Sequence, residues 1–181
     1  LTTKDYIEIG KWVDQELKKR NVWVALMPSG QFTSPFVRGL EVNRDWNSVF
    51  YEDKQKLFVD MNSPQGSRLF QGILTGKTVF PDKFYDNLMK GRILLLAGKD
   101  AAARQKGLAL LIEAVELNPS QSPMKEIIEA AKFPELEPLV NDFCKKYADD
   151  FIKNKNLYAG QDGFLLKLWS ALITVDYLRG L

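Results

Sequence analysis

Residues 84–119, FYDNLMKGRILLLAGKDAAARQKGLALLIEAVELNP, decide the fold. Pro81-Asp82, just upstream, offers a helix start, and Phe84, Leu88, Ile93, Leu95 and Leu96 supply the apolar residues of one helix. Gly98 ends it. Ala101-Ala102-Ala103 then favours a second helix over 101–117, carrying Leu108, Leu111, Ile112 and Val115. Asn118-Pro119 closes it, because proline cannot continue the hydrogen-bond ladder.

The same signals extend toward the C-terminus. Ser122-Pro123 reads as a cap followed by a first-turn proline, with Met124, Ile127, Ile128 and Ala131 on one face. Residues 136–153 place Leu139, Val140, Phe143, Tyr147, Phe151 and Ile152 on one stripe. Asp162 is expected to cap a last helix over 163–179, with Phe164, Leu165, Leu168, Trp169, Leu172, Ile173 and Val175. That helix is apolar over a wide arc, so it should be central or cover a neighbour's core.

Toward the N-terminus, Ser63-Pro64 starts a helix whose face holds Leu69, Phe70, Ile73 and Leu74, with Gly76 as its stop. Thr2 and Asp5 form a capping box for a helix over 4–20, with Tyr6, Ile9, Val13 and Leu17 at helical spacing. Between them, Val22-Trp23-Val24-Ala25-Leu26-Met27 reads as a strand. Residues 45–60 allow two readings: a helix capped by Asp45, or a hairpin pairing Val49-Phe50-Tyr51 with Leu57-Phe58-Val59. Linkers are short and no low-complexity tract appears. A single helical domain over 1–181 is expected, with an irregular, aromatic-rich segment at 22–60.

Composition narrows the function. Across 181 residues, 25 basic and 23 acidic side chains are interspersed and leave a net charge of +2. A nucleic-acid binder shows a clustered basic excess, so nucleic acid is not an expected partner. The chain has no histidine, which excludes a Ser-His-Asp triad and removes the commonest metal ligand. A lone cysteine, Cys144, excludes an intrachain disulfide and a thiolate zinc site. Its apolar stripe points to a structural thiol. The longest apolar runs, Ile93 to Ala97 and Leu108 to Ile112, fall far short of the roughly twenty residues of a membrane span. The chain begins at Leu1 and not at methionine, which is the pattern of an exported protein, periplasmic or extracellular, or of one shortened at its start.

Chemistry-bearing motifs are sparse. QGILTGKT, Gln71 to Thr78, departs from a phosphate-binding loop in that Gln71 stands where the first glycine belongs and a helix, not a strand, precedes it. Asp149, Asp150 and Asp162 are the candidates of a histidine-free carboxylate enzyme, a chemistry that requires two carboxylates converging across a cleft. No catalytic, cofactor-binding or metal-binding residue is therefore expected. The 22–60 segment is dense in aromatics, which serve either as core or as contact surface. Trp23, Phe32, Phe36, Trp46, Phe50 and Tyr51 are the candidate protein-binding surface.

Residues 84–119 also resemble a tetratricopeptide-type helical repeat. Gly91 matches the small position of its first helix and Gly98 the turn glycine. Leu111 and Ala114 match the second helix, and Glu116-Leu117-Asn118-Pro119 the closing phrase. Asn87 departs from the bulky residue usual there. The resemblance covers one unit and implies helix pairs, a concave surface for a partner's peptide or helix, and no catalysis. The expected fold is mainly α, antiparallel helix pairs with a small β element in 22–60. The expected function is protein–protein interaction or assembly, self-association included. A helical protein binding a small molecule or lipid in a cavity lined by 163–179 is the alternative, and the carboxylate enzyme a further one.

Overall fold

A computed structural model describes residues 1–28, 34–52 and 54–181. The fold is mainly α: the described residues form eight α-helices and one small antiparallel sheet. They divide into two compact units, Leu1–Val79 and Phe80–Leu181. No helix among the described residues is long and apolar enough to cross a membrane.

The first unit opens with α1 (Thr3–Lys19), whose capping box forms as expected. The Thr2 backbone N–H donates to Asp5 Oδ2 at 2.6 Å and Asp5 N–H donates back to Thr2 Oγ1 at 3.3 Å. The Thr2 N–H and the Thr2 hydroxyl, which donates to the same oxygen at 2.9 Å, hold the Asp5 carboxyl below its usual range. Asn21, in the left-handed region at φ 54°, turns the chain into β1 (Val24–Pro28). Next comes α2 (Pro35–Val42), a helix the sequence reading did not anticipate. Its signal is the serine-proline pair recognised at Ser63-Pro64: Ser34 Oγ accepts from Phe36 N–H, and Pro35 sits where the N–H has no helical partner.

Residues 45–60 form the hairpin and not the helix: β2 (Trp46–Tyr51) and β3 (Gln55–Asp60). The sheet order is β1-β3-β2, with Ala25 opposite Phe58 and Trp46 opposite Asp60. On the Phe58 face, Val13 of α1 and Val37 and Leu40 of α2 bury Ala25, Trp46 and Phe58. Trp46 is 3% exposed, and its indole N–H donates to Asp14 Oδ1 at 2.8 Å. Then α3 (Pro64–Thr75) packs against β3, burying Phe70 and Ile73, and ends at Gly76 with φ 75°. Where α1 crosses α2, Gly10 faces Gly39. A methyl group on Gly10 would overlap the Gly39 carbonyl oxygen, and one on Gly39 would sit 2.7 Å from the Gly10 nitrogen.

The second unit begins with an antiparallel hairpin, α4 (Lys83–Ala97) and α5 (Ala101–Leu117), joined by residues 98–100. Gly91 and Gly107 meet at its crossing: an added Cβ on Gly91 would lie 2.8 Å from the Gly107 carbonyl oxygen, and the converse distance is 2.7 Å. Leu88, Leu111 and Ala114 are fully enclosed beside it. Asn87 is buried and donates to Glu113 Oε2 at 3.1 Å. α6 (Gln121–Glu129) starts at Ser120, two residues before the expected cap. First-turn N–H groups have no helical partner, so Pro123 is tolerated as the third helical residue. A 3₁₀ turn, Ala130–Lys132, leads to α7 (Glu137–Tyr158).

The buried seam here is Leu136, Val140, Cys144 and Ala148, one residue every four, while Leu139 and Ile152 of the expected stripe face solvent. Burial pushes the Cys144 thiol up to about 11, so it stays protonated. The last helix, α8 (Phe164–Arg179), is preceded by Gly163 at φ 83°, and not Asp162, as its cap residue.

The glycine crossing sets a testable constraint. Alanine is favoured over glycine in a helix by about 1 kcal/mol, yet at Gly91 or Gly107 its methyl meets a backbone carbonyl. Gly91→Ala and Gly107→Ala should each lower stability by about 1–3 kcal/mol in urea unfolding. Gly160→Ala, whose methyl would meet nothing within 4 Å, should leave it unchanged or slightly raised. Equal midpoints for all three variants would disprove the constraint. Trp46→Phe keeps most of the buried ring but removes the donor to Asp14, and should cost about 1–3 kcal/mol in the same measurement.

Candidate functional site

The structure separates the five described aromatics of the expected surface. Trp46 belongs to the core of the first unit. Trp23 is half-buried before β1. An irregularity between Ser48 and Phe50 places Phe50 opposite Leu57 and Tyr51 opposite Lys56. Leu57 neighbours Phe58 in β3, so Phe50 lies on the sheet face opposite Trp46. Phe50 and Tyr51 are half-buried. Phe32 lies outside the described residues. Phe36 remains as an exposed ring, 47% accessible at the start of α2.

Phe36 has a neighbour that the sequence reading missed. Trp12 is 54% exposed, and its ring centroid lies 5.8 Å from that of Phe36 at a 34° tilt. The two rings border a groove of about 370 Å³, with Val13, Leu17 and Met27 in its lining and Glu16 and Arg20 at the edge. Glu16 accepts from Lys19 and Arg20, each at 2.7 Å. These bonds hold its carboxyl below the usual range. The arrangement is an apolar centre with an ion-paired rim, the composition of protein-contact hot spots. The sequence did carry a signal: Trp12 falls outside the Tyr6-Ile9-Val13-Leu17 stripe, so α1 could not bury it along with those residues.

In the second unit, α8 reverses the expected burial. Ser170, Ala171 and Thr174 are buried, whereas Leu165 is 63% and Trp169 52% exposed, with Leu166 and Leu172 also in solvent. Hydrogen bonds accompany this orientation. Ser170 Oγ donates to the carbonyls of Pro119 and Ser120, at 2.9 and 3.2 Å, where the small face of α8 meets the link between α5 and α6. Thr174 Oγ1 satisfies its own need on the Ala171 carbonyl at 2.7 Å. The large side chains are left on the outer arc.

A cleft of about 300 Å³ lies where α7 and α8 approach the end of α5. Phe143, Tyr147, Phe151 and Tyr158 give it aromatic walls, and Glu116, Asp150, Lys146 and Lys167 supply its charges. Tyr158 O–H donates to Asp150 Oδ2 at 2.7 Å, and Asn154 Nδ2 donates to Asp150 Oδ1 at 2.8 Å. The Asp150 bond and burial raise the Tyr158 phenol above its ordinary value. Burial pushes Tyr147 up to about 12, so both hydroxyls stay protonated near neutral pH.

Asp149 and Asp162, the other carboxylates singled out, are exposed. Among the described residues no group of three or more carboxylate and thiol side chains could hold a metal ion. Gln71 to Thr75 form the last turn of α3, with Gly76 as its cap. A helix C-terminus presents carbonyls, not the N–H groups that a phosphate needs.

Compared with protein-family models, with curated proteins and with solved structures, the chain matches none.

Proposed function

We propose that this chain is a non-catalytic protein-binding subunit, and that its contact surface in the first unit centres on Trp12 and Phe36. The carrying observation is that pair of exposed rings, 5.8 Å apart over an apolar groove. An exposed tryptophan packed at a tilt against a phenylalanine is a preformed anchor site: it loses little side-chain freedom when a partner's apolar residue enters the groove. The ion-paired Glu16 and Arg20 at the edge add orientation more than affinity.

Two features of the second unit support the same reading. The outer arc of α8 holds Leu165, Trp169 and Leu172 in solvent, which is the surface of a helix that another polypeptide covers. The α4–α5 hairpin, with Gly91 against Gly107 at its crossing, supports reading it as a tetratricopeptide-like pair, a packing that accepts a partner's peptide or helix.

A photoreactive phenylalanine analogue at position 36 should crosslink to one polypeptide in an extract of the native cells, or to a second copy of the chain. The same analogue at exposed Lys4 should not. Trp12→Ala should leave unfolding within about 1 kcal/mol of the parent and weaken the captured complex about 30-fold or more. Equal labelling from positions 36 and 4, together with monomeric sedimentation at high concentration, would reject the proposal.

A further inference from the structure

We propose that the aromatic cleft of the second unit binds an organic ammonium ion, and that Lys167 holds the place of this ligand in its absence. The Lys167 ammonium lies 3.9 Å from the centroid of the Tyr158 ring. That is well within the roughly 6 Å at which a cation is drawn to an aromatic face. The chain thus already seats one alkylammonium group in the cleft, on a side chain that can leave. Lys167 stands in the first turn of α8 and lines the cleft on a flexible four-carbon stem.

The surroundings favour a cation over an anion. By donating its hydroxyl to Asp150, Tyr158 gains electron density in its ring and has a carboxylate at its edge. Phe151 stacks beside Tyr158 with centroids 6.1 Å apart, and Phe143 and Tyr147 add further rings. Of the two lysines in the lining, Lys146 pairs with Asp142 at 2.8 Å. Glu116 and Asp150 are the other charges of the lining, so with Lys167 swung out two carboxylates stand there against the Asp142-paired Lys146 and the site is left net negative. A volume of about 300 Å³ admits a small ligand at the lower end of ordinary binding sites. A quaternary ammonium suits it best, since such an ion cannot hydrogen-bond to water and loses little by moving onto rings.

The test uses the full chain and two probes of the same shape: choline, and its neutral carbon isostere 3,3-dimethyl-1-butanol. Binding is followed by NMR shifts of the Tyr158 and Phe151 ring protons, at constant ionic strength. Choline should saturate the site, with the neutral isostere about tenfold weaker. Lys167→Met, which removes the resident cation but keeps the stem, should tighten choline several-fold. Asp150→Asn should weaken it, as should Tyr158→Leu, with circular dichroism establishing that each variant is folded. Tyr158→Phe, which keeps the ring and disturbs least, should bind choline better than Tyr158→Leu. Equal affinity for the two probes, tighter binding of hexanoate than of choline, no saturation by choline at 0.1 M, or no gain in Lys167→Met would each overturn the proposal.

Discussion

Close approach of helix backbones is the constraint on which the rest of the structure depends. It operates once in each unit, through a pair of glycines. Gly10 faces Gly39 where α1 crosses α2, and Gly91 faces Gly107 where α4 crosses α5. With no side chain at either position, a carbonyl of one helix lies against the backbone of the other. In the first unit this brings Val13, Val37 and Leu40 together over the sheet, where they enclose Trp46 and Phe58. In the second, it closes Leu88, Leu111 and Ala114 into an interior without solvent. Helix propensity opposes glycine at every one of these sites. The pairs persist because packing at the crossing outweighs that preference.

Small residues inside leave large ones outside. The seam of α7 ends in Cys144 and Ala148, and α8 buries Ser170, Ala171 and Thr174. Phe143, Tyr147 and Phe151 are thereby set at the side of α7, where they line a cleft and do not fill a core. Leu165, Trp169 and Leu172 are set on the outer arc of α8. Each helix turns its small residues inward, and on α8 the Ser170 hydroxyl finds two carbonyl acceptors there. The surfaces available for recognition in this unit are the remainder of that choice.

The candidate site was only partly legible in the residues. Phe36 was singled out as an aromatic in a segment poor in strong periodic signals. Trp12 lies outside the apolar stripe of α1, and a tryptophan off such a stripe is the residue that informs on a contact surface. Trp46 and Phe36 look alike in a sequence. What divides them is position: Trp46 packs in the core with Val13, Val37 and Leu40, where Asp14 accepts from its indole, whereas Phe36 lies against exposed Trp12. The cleft of the second unit was not legible in advance, since Glu116, Tyr147 and Lys167 come from three helices.

By itself the sequence determined the local structure. Thr2 with Asp5, Ser63 with Pro64, Asp82 and Asp100 start helices, and Gly76 and Gly98 end them, because capping and chain reversal involve atoms only a few residues apart. The hairpin of 46–60 and the helix over 35–42 were within its reach on the same grounds, the first as one of two readings, the second through an overlooked serine-proline pair. Only the tertiary structure decided which face of an almost uniformly apolar helix turns inward. Apolar periodicity states how much surface a helix would bury, and on α8 it is nearly the same all round. The inward face is the one that meets Pro119 and Ser120, about fifty positions away, and no local pattern encodes such a contact.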